Sequence, residues 1–287
     1  MSADSQNSAS RLSIAVVCYN TAREELVVLL ESILNSIQHS GLQAEPGSVP
    51  VYLIDNSEHE SLDVAIFADY ENKASELGVK FTLLLGHGNI GYGSAHNLVL
   101  EKLESDYHLI LNPDIELDEN CLQAGLQFMD AHPETLMASP HARYADDEKQ
   151  YLCKRYPSVL TFFLRGFLPH SIGRLFRRRL AFYEMRDLAE DAPTVGIPIV
   201  SGCFMFCRSA ALKQLAGFDE NYFLYFEDFD LSLRLGRLGK IAYEPAMRIR
   251  HAGGNAARKG GSHLRMFIRS GIRFFNTHGW RIFRQAS

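Results

Sequence analysis

LSIAVVCYNTAREELVVLLESILNSIQHSGLQAEPGSVPVYLIDN, residues 12–56, holds the unit that decides the fold. Leu12 to Tyr19 is a short, mostly apolar run of the length of a buried strand. From Glu24 to Ser40, Leu26, Leu29, Leu30, Ile33, Leu34 and Ile37 recur at helical spacing. PVYLIDN then reads as a second strand. The alternation continues with a helix over Leu62 to Leu77, the strand KFTLLLG, a helix over Ser94 to Leu103 and the strand YHLILNPD. Strand–helix alternation of this kind predicts an α/β fold: a mostly parallel, Rossmann-like sheet with helices on both faces. Ligands of such sheets bind beyond the carboxyl ends of the strands. Working residues are therefore expected at Tyr19-Asn20, Asp55-Asn56, Gly86 to Gly93 and Asn112 to Asp114.

The second half reads differently. Residues 141–195 are rich in arginine and aromatics and carry little strand periodicity. IPIVSGCFMFCR returns to strand character, Ala210 to Ala216 and Asp230 to Leu238 read as helices, and KIAYEP as a strand. RIRHAGG leads into a basic tail. The expected organisation is a disordered 1–11, a main unit over 12–254 and a basic amphipathic helical extension over 255–287. The unit divides into two halves, 12–115 and 116–254, the second with a helical insertion at 155–190.

Composition sets bounds on function. With 46% hydrophobic and 22% charged residues the chain is an ordinary globular one, and its net charge of −5 gives no reason to expect nucleic acid as a partner. Five cysteines at irregular spacing, with no CxxC pair, read as free thiols in a reducing compartment rather than disulfides or a zinc site. The polar opening MSADSQNSASR lacks the apolar core of a signal peptide, and no apolar run reaches the length of a membrane span. A cytoplasmic location is expected.

Four motifs carry chemistry. In LNPD, Asp114 is a carboxylate at the tip of a buried strand, an oxygen ligand of the kind a diphosphate-bridging cation takes, although Asn-Pro-Asp also reads as a turn. GHGNIGYGSAHN (86–97) has four glycines in eight positions, which lets backbone approach a ligand before a helix N-terminus. It is neither a Rossmann fingerprint nor a P-loop, and it also reads as a plain strand-to-helix connection. YFEDFD (225–230) sets Glu227, Asp228 and Asp230 among aromatic residues. Carboxylates buried there repel one another and take up protons more readily, which suits a general base; the alternative is a helix cap at Asp230 with the others solvated. His251 in RIRHAGG ends a strand before a glycine pair and reads as a ligand or a structural imidazole.

The order VVCYN, LIDN, GNIGYGSAHN, LNPD, GFDENYFLYFEDFDL and a late histidine resembles family-2 glycosyltransferases of the GT-A fold, and within them bacterial rhamnosyltransferases. The resemblance spans roughly Leu12 to Gly254. It implies that Tyr19 and Asn20 border the nucleoside, that Asp55 hydrogen-bonds the pyrimidine, and that Asn89, Gly91 and Asn97 line ribose and diphosphate. Asp114 would bind the metal, Mg²⁺ or Mn²⁺, as the last residue of a DxD-type motif that here reads Asn112-Pro113-Asp114 and lacks its first carboxylate. His251 would be a further metal or diphosphate ligand. Asp228 would be the catalytic base, with Glu227 positioning the acceptor. Arg234 would face the diphosphate or pair with an acid.

The implied reaction is direct displacement at the sugar C1 with inversion. The implied donor is dTDP-L-rhamnose, with UDP-sugars as the alternative. The acceptor is a hydroxyl of a cell-surface glycan such as lipopolysaccharide core, O-antigen or a lipid-linked saccharide. Basic, aromatic stretches at 159–183 and in the tail suit peripheral contact with the anionic inner face of the cytoplasmic membrane, binding of acceptor phosphates, or plain packing. Two other classes compete: a nucleotidyltransferase, which VVCYNTAREE disfavours because no Arg- and Lys-bearing glycine loop follows the first strand, and a nucleotide-sugar-binding protein without catalysis.

Overall fold

The computed structural model describes residues 10–42, 45–100, 102–167, 176–253 and 260–283. Most of the disordered segment expected at 1–11, and residue 254 at the expected domain boundary, lie outside them. The first half runs β1 (Leu12–Cys18), α1 (Arg23–His39), β2 (Val49–Asp55), α2 (Ile66–Glu76), β3 (Val79–Leu84), α3 (Tyr92–Leu100) and β4 (Tyr107–Leu111). β5 (Ile115–Leu117), α4 (Cys121–Ala131) and β6 (Thr135–Arg143) follow. Two short strands, β7 (Lys149–Gln150) and β8 (Cys153–Lys154), precede α5 (Val159–Phe167) and α6 (Arg177–Tyr183). The chain then forms β9 (Thr194–Val195), β10 (Ile199–Val200), β11 (Phe204–Arg208), α7 (Ser209–Gln214), α8 (Glu227–Leu235), β12 (Lys240–His251) and α9 (Gly260–His278).

The main sheet has the order β3-β2-β1-β4-β11-β6-β12-β5, with β7 on β6 and β9 on β12. Strands β3, β2, β1 and β4 are mutually parallel, β11 inserts antiparallel between β4 and β6, and β6 and β12 are parallel to each other. The fold is the expected α/β sheet with helices, and its second half is mixed rather than parallel. β1 is buried over its whole length, which is why it reads as one unbroken apolar run. Its alternate side chains serve two layers. Leu12, Ile14 and Val16 pack with the apolar faces of α1 and α4, while Ala15 and Val17 pack with Ala95 and Val99 of α3.

Two expected elements shift in ways that matter for the site. IPIVSGCFMFCR is two strands broken at Ser201–Cys203, and the break exposes the Gly202 peptide to side chains from elsewhere. The helix expected at Asp230 to Leu238 begins at Glu227, so the acidic residues lie inside its first turn rather than before it. Residues 141–195, which have little strand periodicity, nonetheless hold the end of β6 and the two-residue strands β7, β8 and β9; β7 pairs locally with β6, while β8 and β9 pair with the distant β10 and β12. All five cysteines are buried and free. Among the described residues no helix is long and apolar enough to cross a membrane.

Candidate active site

The parallel register sets the site. Cys18 lies opposite Asp55 and Val16 opposite Leu111, so three strands end along one edge of the sheet. Asn20 follows β1 in a left-handed conformation (φ 48°) and donates its N–H to Ser57 Oγ at 2.9 Å. A polar rim gathers above it. The Tyr19 hydroxyl donates to Glu58 Oε1 (3.1 Å), and Asn89 Nδ2 donates to the same oxygen (3.2 Å). Asn56 bridges β2 to the glycine loop: its Nδ2 donates to Asn89 Oδ1 (3.2 Å) and its Oδ1 accepts the Ile90 N–H (3.0 Å). Asn56 falls in the Asp55-Asn56 strand end where working residues were expected, whereas Glu58 was not among the expected site residues.

Asp55 differs from expectation. It is buried, and its carboxylate accepts the backbone N–H groups of Ser57 (3.1 Å), Ser61 (2.7 Å) and Leu62 (2.9 Å). Burial alone would raise its carboxyl, but the hydrogen bonds from Ser57, Ser61 and Leu62 outweigh it and hold the group below its ordinary value. Asp55 thus holds the 55–62 loop, and the nearby Glu58 is exposed.

Asn97 and Arg234 are engaged within the fold. The Asn97 amide clamps one residue, accepting the Phe218 N–H (2.9 Å) and donating to the Phe218 carbonyl (3.0 Å). Arg234 takes the second of its two expected roles, pairing with an acid: it donates to Asp230 Oδ2 (2.6 Å), and also to the Gly217 carbonyl (2.9 Å) and the Leu215 carbonyl (3.3 Å). Both side chains hold the 215–218 turn. Asp230 is likewise structural, since it also accepts from His278 at 2.8 Å.

Asp114 and His251 meet through strand pairing. Ile115 of β5 lies opposite His251 of β12, which places Asp114 Oδ1 3.4 Å from His251 Nε2. A Cβ at Gly253 would collide with His251 Nε2 and lie 2.7 Å from Asp114 Oδ2, so the space between the pair is open only because glycine stands there. Among the described residues no group of three or more His, Cys, Asp or Glu gathers to hold a metal. The chemistry of this pair nonetheless fits a cation held by two protein ligands, with diphosphate oxygens and water completing the shell.

Asp228 is tied to the β10–β11 break. Its Oδ2 accepts the Gly202 N–H (2.9 Å), and the Gly202 carbonyl accepts the Tyr92 hydroxyl (2.7 Å). Next along the chain, the Cys203 carbonyl accepts the Asn112 N–H (2.9 Å), which ties the end of β4 to this peptide. Burial first, and then the charges of Asp114 and Asp228 together, push the Cys203 thiol up to about 12. The partly buried Tyr92 phenol, likewise raised first by burial, also feels Cys203, Glu227, Asp228 and Asp114. The consecutive residues Gly202 and Cys203 thus bind Asp228 on one side and, through Asn112, the strand end that leads to Asp114 on the other.

Tyr225 (φ 71°) and Phe226 (φ 69°) are consecutive left-handed non-glycine residues, a strained turn that aims the first turn of α8. It is held by packing of Phe226 on Phe162, Phe267 and Phe274, and by the Tyr225 hydroxyl on His263 Nδ1 at 2.9 Å. Burial lifts the Asp228 carboxyl to about 6. Burial, and then the neighbouring Asp228 charge, lift Glu227 well above its ordinary value, and Glu227 Oε2 has no hydrogen-bond partner among the described residues.

Parallel strands ending at one edge, a carboxylate–imidazole pair at a strand end and an acid pair in the first turn of α8 lie on an α/β fold of the GT-A type. The family model for Glycosyl transferase family 2 matches residues 13–215. The chain belongs to that family and is a glycosyltransferase. It is 28% identical over 231 residues to an N-acetylglucosaminyl-diphospho-decaprenol L-rhamnosyltransferase of Mycobacterium tuberculosis, covering 75% of this chain and 71% of that one. It is 29% identical over 175 residues to Rhamnosyltransferase WbbL of Escherichia coli K12, covering 57% of this chain and 61% of that one. A solved mannosyltransferase from Pyrobaculum calidifontis, in complex with GDP-Man and Mn²⁺, shares the fold at a TM-score of 0.57 and 16% identity over 92% of this chain and 64% of that one.

Proposed function

We propose that the chain transfers L-rhamnose from dTDP-L-rhamnose, with inversion, to a hydroxyl of a lipid-linked or lipopolysaccharide-type saccharide of the cell envelope. Its relatives in M. tuberculosis and E. coli are named as rhamnosyltransferases, and the former's name specifies a diphospho-decaprenol-linked acceptor. The observation that supports the mechanism is the Asp228 carboxylate in the first turn of α8, held on the Gly202 N–H beside Cys203, whose carbonyl accepts the Asn112 N–H two residues before Asp114, with burial lifting it to about 6. In this reading Asp228 accepts the acceptor hydroxyl proton as the oxygen attacks C1, while the C1–O bond to the diphosphate breaks on the opposite face. The Gly202 and Phe229 N–H groups hold its oxygens in place and leave lone pairs for the incoming proton. Tyr19, Asn20, Asn89 and Gly91 lie at the strand ends where nucleoside and ribose belong. Asp114 and His251 would hold Mg²⁺ or Mn²⁺, which supplies Lewis-acid stabilisation of the leaving diphosphate.

Replacing the base tests this directly. Asp228→Asn should lower turnover by a factor of roughly 10²–10⁴ while dTDP binding stays near wild type. A fully active Asp228→Asn enzyme removes the mechanism.

A lipid-linked acceptor calls for a membrane-facing surface, and α9 offers one. Leu264, Ile268 and Ile272 are 42%, 49% and 48% exposed at i, i+4 and i+8, with the exposed Arg265 and Arg269 along the adjoining arc. Trp280, Ile282 and Phe283 continue the exposed apolar surface beyond the helix. Flotation with phosphatidylglycerol vesicles at low salt should carry the protein upward, and Ile268→Glu should weaken that binding. Protein that stays at the bottom of the gradient in both cases counts against the membrane reading.

A further inference from the structure

Gln150 belongs to the two-residue strand β7 and is buried at 6% exposure. Backbone pairing of Gln150 with Ala142 of β6 fixes its position beside the end of β12. Its carboxamide bonds His251 twice. Nε2 lies 3.0 Å from the His251 carbonyl oxygen, and Oε1 lies 2.8 Å from His251 Nδ1.

These two contacts determine a proton position. A backbone carbonyl can only accept, so the amide end that faces it is the NH2 group. The other end is then the amide oxygen, which also can only accept, and so His251 Nδ1 must carry a hydrogen. In a neutral imidazole this leaves the Nε2 lone pair free. That lone pair faces Asp114 Oδ1 at 3.4 Å. Two acceptors at such a separation repel unless a positive centre lies between them, either a second ring proton or a metal ion.

We propose that Gln150 is a positioning residue that fixes His251 as its Nδ1–H tautomer and thereby presents Nε2 to a divalent cation shared with Asp114. This rests on the metal reading given above and adds the residue that sets the ligand's tautomer and ring orientation. Outer partners of metal-binding histidines act in this way, and their loss weakens metal affinity by about 10–100-fold.

Two measurements on the full chain test it. The first needs no metal: long-range ¹H–¹⁵N correlation of the histidine rings, with His251 assigned by a His251→Gln control. The wild type should show a protonated Nδ1, and Gln150→Leu should lose that preference. The second is Mn²⁺ titration followed by electron paramagnetic resonance, with and without dTDP. Gln150→Leu should bind Mn²⁺ about 10–100-fold more weakly. Gln150→Glu, which restores an acceptor for Nδ1–H, should recover most of that loss. Thermal midpoints of the metal-free variants separate these effects from misfolding. An Nε2–H tautomer in wild-type His251 overturns the inference by itself. Wild-type affinity for Mn²⁺ that Gln150→Leu leaves unchanged overturns it while sparing the metal reading. A wild type that binds no Mn²⁺, even with dTDP, overturns the metal reading and with it this role for Gln150.

Discussion

Glu227 and Asp228 are neighbours in one helical turn, yet their surroundings divide the work. Asp228 has the Gly202 and Phe229 N–H groups on its oxygens, and burial lifts it only to about 6. Glu227 has burial and the Asp228 charge against it and an unpartnered oxygen, so its proton is held more tightly. Above pH ~6 the pair therefore carries one negative charge, centred on Asp228, and the base is competent. Below that, kcat/KM should fall about tenfold per pH unit, a limb that should vanish from the residual activity of Asp228→Asn. The same shifts have a stability consequence. For Glu227 the folded value lies above the unfolded one, so the stability it contributes is present below the unfolded carboxyl value and is lost as pH rises toward the folded one. Glu227→Gln keeps the shape of the protonated acid and cannot ionise. Its thermal midpoint should match wild type near pH 4 and exceed it at pH 8. A difference that does not change with pH would show that Glu227 ionises freely in the fold.

At the scale of elements, the glycine loop and the acidic segment form one device. Gly91 has φ +95°, and a Cβ there would lie 2.5 Å from the Phe223 carbonyl oxygen, which also accepts the Tyr92 N–H at 3.1 Å. The loop thus presses on the chain two residues before the strained Tyr225–Phe226 turn. Gly91→Ala should cost about 1–3 kcal/mol in denaturant unfolding. It should also lower kcat, because relief of the clash must displace the segment that aims Asp228; unchanged kcat and stability together would contradict the coupling. The loop was legible from its four glycines, and β1, α1 and β2 from apolar runs whose period is set by burial on the sheet. β5 was not legible, because a three-residue strand exists only through its partner β12 far along the chain, and β7 was not, because two residues are too few to show a period. Gln150 was hidden because it is a single polar residue in an irregular segment whose side-chain partner, His251, is 101 residues away. The hydrogen bonds that engage Asn97 and Asp55 were not legible for another reason: motif position says which residues cluster, but the bonds a side chain makes appear only once the turn it serves is folded.

Across the whole molecule, α9 packs on the acidic segment that carries Glu227 and Asp228. Phe274 is fully buried, with its ring 5.3 Å from Phe226 and 5.5 Å from Tyr156. Ser270 donates to the Leu224 carbonyl (2.8 Å) and Arg273 pairs with Asp219 (2.7 Å), so α9 grips the acidic segment at both ends. The core around Ile33, between α1 and the sheet, contains none of these residues. Two deletions of comparable kind therefore separate stability from alignment. Phe274→Ala should cost about 3–5 kcal/mol and Ile33→Ala about 2–5 kcal/mol, read by denaturant unfolding. Assayed at a temperature where both remain folded, Ile33→Ala should keep a near-normal kcat. Phe274→Ala should lose kcat with little change in dTDP affinity, since the cavity it leaves lies under the turn that aims Asp228 and away from the rim formed by Tyr19, Asn56, Glu58 and Asn89. Equal kcat in the two variants would mean that the strained turn holds its shape without the aromatic cluster behind it.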